Sequence, residues 1–390
     1  MRIVIATGIF EPESGGPATY TPKLATRLIE AGHEVTVITY SDQARFDFDT
    51  KYSFKLVRVV RGNRLFNRVK FLAAVMQYAR ACDLIYTLDW FAAGVPVLIA
   101  ARLRRIKYIV RVGGDYLWEQ KYLDKGEDPV PLSDFYEQGI YARAAYRPFF
   151  LTIKAVLTNA AHVVFNSDIQ RDLYVRFYGI APARTSTIYN PLSRKGIDVR
   201  RDGETHELLF WGRLERMNNI DSLIRAFARA HLPDDYTLAI IGNGVQREYL
   251  SQIIAELNIG DRVTMSPRMR QHEAWERVKN ARAFILPTWT AISPNQVCEA
   301  LAIGLPTLVT QDNYLSFRDQ LPDMIDPRSI DDIAAKLEML ADDAKYEEFK
   351  KRCAAVTFDT SWEDVTAQHL ALFESIASSK FDQNMKIVHK

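Results

Sequence analysis

Short apolar runs alternate with amphipathic stretches along almost the whole chain. Residues 2–7 read as a buried strand, 18–31 as a helix closed by Gly32, and 33–39 as a second strand. Strand-length runs recur at 54–60, 83–88, 107–112, 161–165 and 185–189, with helical patterns at 90–105 and 168–178. Residues 193–207 are charged and have no apolar period, which marks a linker. The alternation restarts at 208–214 and continues through strands at 236–241 and 263–267 and helices at 221–230, 247–257 and 273–279. It closes with helices at 330–341, 344–356 and 362–377. Strands alternating with helices imply parallel sheets covered on both faces. A chain of 390 residues exceeds what one core usually supports, so two such domains are expected, 1–192 and 208–360, with a loose tail at 381–390.

Residues 283–310 concentrate the chemistry. An apolar run ends in a polar loop, Ser293 suits a helix N-cap, Pro294 suits the first turn, and Gly304 supplies a left-handed stop before the next apolar run. In a parallel sheet such a loop and helix N-terminus emerge at the carboxyl edge, where unpaired N–H groups favour a diphosphate. Glu299 lies one helical turn beyond Asn295. A carboxylate among Val297, Cys298, Ala300 and Leu301 needs polar partners, and two ribose hydroxyls would supply them; a solvated surface Glu is the plainer alternative. Near the amino terminus, Gly15-Gly16 precede a helix whose first turn carries Pro17, and a backbone without side chains can approach phosphate closely. An ordinary tight turn has the same composition. The G-x-G-x-x-G spacing is missing, so a nicotinamide fingerprint is not supported.

Composition narrows the classes. An apolar fraction of 48% and a charged fraction of 25% are those of a globular protein. The opening run is too short for a signal peptide, and the longest uncharged apolar stretch, 90–101, is too short for a bilayer. Three widely spaced cysteines fit neither a disulfide framework nor zinc and point to a reducing cytosol. The net charge of +2 conceals an asymmetry, with bases in excess in the first half and acids in the second. Between 51 and 110 the only acids are Asp83 and Asp89, and bases are interleaved with apolar residues at 58–70 and 102–107. That pattern fits anionic lipid head groups or an anionic acceptor, with a solvated helix face as the alternative. Nucleic acid is disfavoured, because no binding module is present and the overall charge is near neutral. Asp47-Phe48-Asp49 imitates a D-x-D metal site but has no following ligands, and no histidine cluster has ligand spacing, so no metal is expected.

The run Ser293-Pro294-Asn295, Glu299-Ala300-Leu301 and Gly304-Leu305-Pro306 resembles the donor-binding signature of the retaining glycosyltransferase family 4. The resemblance implies an α/β GT-B fold: two Rossmann-like, doubly wound parallel-sheet domains facing each other across a cleft, with a final helix, here 361–380, crossing back to the first. It also implies a nucleotide-diphosphate sugar as co-substrate, no further cofactor, and a glycan, lipid-linked or small acceptor. Gly15 and Gly16 resemble the loop that faces the donor diphosphate, and Gly212-Arg213-Leu214 the motif whose arginine stabilises the leaving group. Asn218 stands where that motif continues to a lysine, Gly242-Asn243-Gly244 would allow a further backbone approach, and Arg268 lies where the family contacts the base.

Three positions depart from the family pattern. Ala291 replaces the first of its two Glu residues, Asn218 the lysine, and Gly113 or Gly114 a loop histidine. With no histidine in that loop, Asp115 is the candidate to hold a sugar or acceptor hydroxyl, flanked on the acceptor side by Tyr116 and Trp118; a simple turn residue is the alternative. Residues 119–150, rich in Tyr, Phe and Pro, read as an insertion forming part of the acceptor site. By resemblance, transfer proceeds by front-face attack with the departing phosphate as base, on the cytoplasmic side and at the inner membrane face if the basic half meets lipid. The altered positions leave a second reading open, a non-catalytic partner subunit that binds nucleotide or glycan, and behind it a phosphorylase or epimerase.

Overall fold

The chain begins with β1 (Arg2–Thr7), α1 (Gly16–Glu30), β2 (Glu34–Ser41), β3 (Lys55–Val60), α2 (Arg64–Tyr78), β4 (Leu84–Thr87), α3 (Gly94–Arg104) and β5 (Tyr108–Val112). A segment carrying α4 (Leu132–Glu137) follows, then α5 (Arg147–Thr158), β6 (His162–Phe165), α6 (Asp168–Tyr178) and β7 (Thr185–Thr187). The strands pair in parallel in the order β3-β2-β1-β4-β5-β6-β7. Ile3 to Ala6 are almost completely buried. This is why the sequence here is a continuous apolar run and not an alternating one: helices cover both faces of the sheet.

The second half holds β8 (Glu207–Trp211), α7 (Ile220–Arg229), β9 (Thr237–Ile241), α8 (Arg247–Glu256), β10 (Val263–Ser266), α9 (Gln271–Val278), β11 (Ala283–Leu286), α10 (Asn295–Ala302), β12 (Thr307–Thr310), β13 (Met324–Ile325), α11 (Ile330–Ala341) and α12 (Asp343–Ala355). Its order is β10-β9-β8-β11-β12-β13, again parallel. Strand β13 escapes sequence reading because two residues carry no period. The computed structural model describes residues 1–379 apart from 14, 127, 192–198, 200 and 270. Residues 193–198 and 200 of the expected linker and the whole 381–390 tail therefore lie outside the described residues.

The contacts divide the chain into two units. Unit 1 comprises 1–117, 141–190 and the chain from 362 onward; unit 2 comprises 118–140 and 191–361. Each sheet has a point where strand order reverses, between β1 and β4 in unit 1 and between β8 and β11 in unit 2. At such a point the loops leaving adjacent carboxyl ends diverge and leave a crevice.

The last helix, α13 (Trp362–Ser378), packs in unit 1. Val365, His369 and Phe373 are its buried face. The Val365 carbonyl can only accept, so His369 donates to it from Nδ1 at 2.7 Å and accepts the Tyr86 hydroxyl at Nε2, 2.8 Å away. The Lys107 ammonium donates to the Ile376 carbonyl at 2.6 Å, placing a cation at the helix C-terminus. Burial, with help from the Arg111 charge, drives the His369 pKa down to about 3.

An unfolded histidine titrates near 6.5, so acidification from there protonates the unfolded chain first, and the stability from neutral His369 declines as pH falls toward the folded value. Between pH 6.5 and 4.5 this decline amounts to about 2 kcal/mol. Denaturant unfolding of His369→Gln should show lower stability at neutral pH and a shallower loss on acidification than the parent; parallel pH profiles would remove His369 from the account.

Candidate functional site

In unit 2 the reversal point is flanked by the loops after β8 and β11. The chain leaves β8 through Gly212, whose N–H bonds the Ile241 carbonyl at 3.0 Å, and Leu214 N–H bonds the Asn243 carbonyl at 2.9 Å. A Cβ built on Gly242 would sit 1.9 Å from the Gly212 carbonyl oxygen, and one on Gly244 would sit 2.2 Å from that of Leu214. Close packing of one loop on the other thus accounts for both glycines, whereas their expected role was phosphate approach. Asn219 then takes a left-handed conformation at φ 52° and, fully buried, donates its amide to the Pro287 and Pro327 carbonyls at 3.1 and 2.8 Å. Trp289 N–H and the Thr288 hydroxyl both reach the Met217 carbonyl, at 3.0 and 2.6 Å. The two loops are therefore stitched together before any ligand arrives.

Arg213 projects from this framework, 63% exposed, with Glu215 at 2.9 Å as its ion-pair partner. An anion has only to displace a surface pair, whose net worth is about 0–1 kcal/mol. Asn218, half-buried, donates its amide to the Arg213 carbonyl at 2.5 Å, which makes it a brace for the turn. Asn243 accepts the Arg268 N–H at 3.4 Å, tying the loop after β10 to the loop after β9, and Arg268 itself is exposed.

Helix α10 starts beside the Gly212 turn, with Gln296 Nε2 3.5 Å from the Cβ position of that glycine. Pro294, not Ser293, occupies the N-cap and no side chain caps the helix; of its leading N–H groups, that of Val297 bonds the Pro294 carbonyl at 3.1 Å. Gly304, at φ 82°, ends it in the left-handed region. Asn295 is exposed and Glu299 half-buried. Trp275 on α9 donates its indole N–H to Glu299 Oε2 at 3.3 Å, a partner that sequence reading missed. Ala291 is buried, and its backbone is bridged to Asp312 and Tyr314.

A second element missed from sequence sits on the same edge. Residues 118–140, expected within the first domain, group with unit 2, while 141–150 stay in unit 1. The Thr290 hydroxyl accepts the Leu132 N–H at 2.7 Å and donates to Asp312 at 2.5 Å, and Ser133 donates to the other Asp312 oxygen at 3.2 Å. Arg216 donates to the Leu123 carbonyl at 2.9 Å, and Arg328 pairs with Asp134 at 3.1 Å. The segment is thus a strap over the loops after β8, β11 and β12. Burial raises the Asp312 pKa despite its two hydroxyl donors.

In unit 1, Gly15 and Gly16 follow β1 at the other reversal point. Gly15 precedes α1 at φ 154°, a Cβ there would meet the Ile9 side chain at 2.5 Å, and nothing lies within 4 Å of one on Gly16. Asp115 is completely buried and accepts the Tyr174 hydroxyl at 2.5 Å. Its carboxylate is thereby engaged inside unit 1, and the expectation that it meets an acceptor hydroxyl finds no support in this placement. Tyr116 is stacked on Phe91 at 4.5 Å. Trp118, also expected on the acceptor side, is fully buried in unit 2 and donates to the Val130 carbonyl at 2.8 Å. Asp49 of the D-x-D-like run is taken by Arg58, which reaches its two oxygens at 2.9 and 2.6 Å. Among the described residues no three His, Cys, Asp or Glu side chains gather as a metal group.

Residues 197–355 match the family described as "Glycosyl transferases group 1", and residues 15–191 match the "Glycosyl transferase 4-like domain". The chain is 28% identical over 171 residues to the D-inositol 3-phosphate glycosyltransferase of Streptosporangium roseum, a match spanning 39% of each chain. With the alpha-monoglucosyldiacylglycerol synthase of Streptococcus pneumoniae it shares 24% identity over 343 residues, 81% of this chain and 72% of the relative. The structure of HepE from Anabaena in complex with UDP-glucose superimposes with a TM-score of 0.72 at 16% identity, covering 96% of this chain and all of that one.

Removing the Thr290 hydroxyl should release the strap. Thr290→Val leaves the Leu132 N–H and the Asp312 carboxylate without a shared partner, at a cost of about 1–3 kcal/mol. Limited proteolysis should then cut within 118–140 faster than in the parent; unchanged cleavage and unchanged melting would show that the hydroxyl does not anchor the segment.

Proposed function

The chain belongs to glycosyltransferase family 4 and is a glycosyltransferase of the GT-B type, and on that premise we propose that it moves a sugar, with retention and without a metal, from a nucleotide-diphosphate donor. The observation that carries this reading is the meeting, at the reversal point of unit 2, of an exposed arginine and an uncapped helix N-terminus, with a half-buried acid one turn further along that helix. The leading N–H groups of α10 and the Arg213 guanidinium offset the charge that grows on the departing diphosphate. Glu299, oriented by Trp275, accepts the ribose hydroxyls, and Arg268 lies toward the base. The bond from the anomeric carbon to phosphate breaks as the acceptor oxygen attacks the same face, and the leaving phosphate takes the acceptor's proton. No protein nucleophile is required.

The acceptor is a glycan, a lipid-linked carrier or a small polyol. The lipid-linked option accords with the basic first half of the chain and places the enzyme at the inner face of a membrane. Among the described residues no helix is long and apolar enough to cross one. UDP-glucose is the first donor to try, because it is the ligand named for the superimposable HepE structure.

Thermal-shift screening against nucleoside diphosphates and their sugars should identify the base. Glu299→Ala should weaken nucleotide binding about 10–100-fold by loss of charge-assisted hydrogen bonds. Arg213→Ala should lower kcat about 100–1,000-fold with a smaller change in affinity. A parent enzyme that binds nucleotide yet neither transfers nor hydrolyses any donor across a broad panel would overturn the transfer reading.

A further inference from the structure

Helices α2, α3 and α5 line up on one face of the unit 1 sheet, with α3 packed against both of the others. Their sequences carry arginines and lysines but no Asp or Glu. A solvated helix face normally mixes both signs and hides its large apolar side chains. Here Phe66 and Val69 on α2, Ile99 and Leu103 on α3, and Leu151 on α5 are exposed, Phe66 and Leu103 to 66% each. Elsewhere among the described residues the only comparable side chains are Ile169, Val245 and Tyr249.

The bases lie among these apolar groups. Lys70, Arg102 and Arg147 are exposed, and among the described residues none of the three has an ion-pair partner. Large apolar groups left in water are unfavourable, and cations of one sign clustered beside them repel one another. Both costs are relieved at an interface that is apolar a few ångströms below a layer of negative charge. We infer that the α2–α3–α5 face docks on an anionic lipid bilayer, Phe66, Val69, Leu103 and Leu151 entering the acyl boundary while Lys70, Arg102 and Arg147 remain with the phosphates.

A soluble polyanion would satisfy the bases and leave the apolar residues in water, so the bilayer is the occupant that accounts for both. The inference deepens the membrane part of the proposed function and is independent of the donor chemistry, since none of these residues lies on the donor-side edge of unit 2.

The test is flotation of the full chain with vesicles of phosphatidylcholine alone and of phosphatidylcholine with phosphatidylglycerol. Binding should require the anionic lipid and fall with added salt, as expected for charges screened over about 8 Å at physiological ionic strength. Lys70→Gln with Arg102→Gln and Arg147→Gln should weaken binding roughly a hundred-fold, at about five-fold per base. Phe66→Ser with Leu103→Ser should also weaken it while leaving retention on a heparin column unchanged. Each variant should match the parent in thermal melting and in donor hydrolysis without lipid, which separates loss of docking from misfolding and from failure of the transfer reading. The inference is overturned if the parent fails to float with the anionic vesicles at low salt, if the charge variant floats as the parent does, or if the serine variant does so, the last result marking a polyanion site instead.

Discussion

The approach of one loop backbone onto another at the carboxyl edge of unit 2 is the constraint on which the proposed site depends. The Gly212 and Gly242 chains come so close that no side chain fits between them, and Asn219 locks the adjoining turn to two proline carbonyls. This rigid stitching lets an arginine with weak restraints of its own stand at a defined place. Arg213 is positioned by the backbone bonds of the two loops together with the Asn218 and Asn219 side-chain amides. A side chain added at Gly242 would push the loops apart and move Arg213 without touching any ligand.

The strap adds a second layer. Sequence composition had grouped its aromatic residues with the first domain, yet residues 118–140 are held by Thr290, Asp312, Arg216 and Arg328, all belonging to the second. Asp312 stays buried because two hydroxyls donate to it, and Thr290 serves twice, once as donor and once as acceptor. Aromatic residues expected to meet an acceptor instead pack the strap: Trp118 is buried with its N–H satisfied by a backbone carbonyl, and Phe135 contacts Tyr122 and Tyr136. A buried Trp or Tyr usually finds such a partner, and its presence in a polar stretch of sequence marks a local core as readily as a sugar platform.

The positions that depart from the family pattern have distinct physical outcomes. Asn218 spends its amide on the Arg213 carbonyl and so braces the turn in which a lysine would have offered a charge. At Ala291 the backbone is pinned to the 312–314 segment, and the carboxylate of Asp312 within that segment accepts from Thr290 and from Ser133 of the strap. Gly113 lies 3.5 Å, measured from its Cβ position, from the Asn166 amide at the end of β6, so the loop there is closed by a polar side chain from the neighbouring strand.

How much was legible without coordinates follows from the range of each interaction. Apolar runs and helix stops are local, so the strands from β1 to β12, the C-terminal glycine of α10 and the two-sheet plan were written in the order of residues. Gly212-Arg213 and Glu299 could be singled out because the strand-loop-helix pattern places them at a carboxyl edge. The indole that orients Glu299, the hydroxyl that fastens the strap and the carboxylate hidden beneath it come from residues tens to hundreds of positions apart. Whether Asp115 faces a ligand or a tyrosine, and whether Gly242 makes room for phosphate or for backbone, was decided only when the chain folded, because burial and contact are properties of the packed protein and not of any segment.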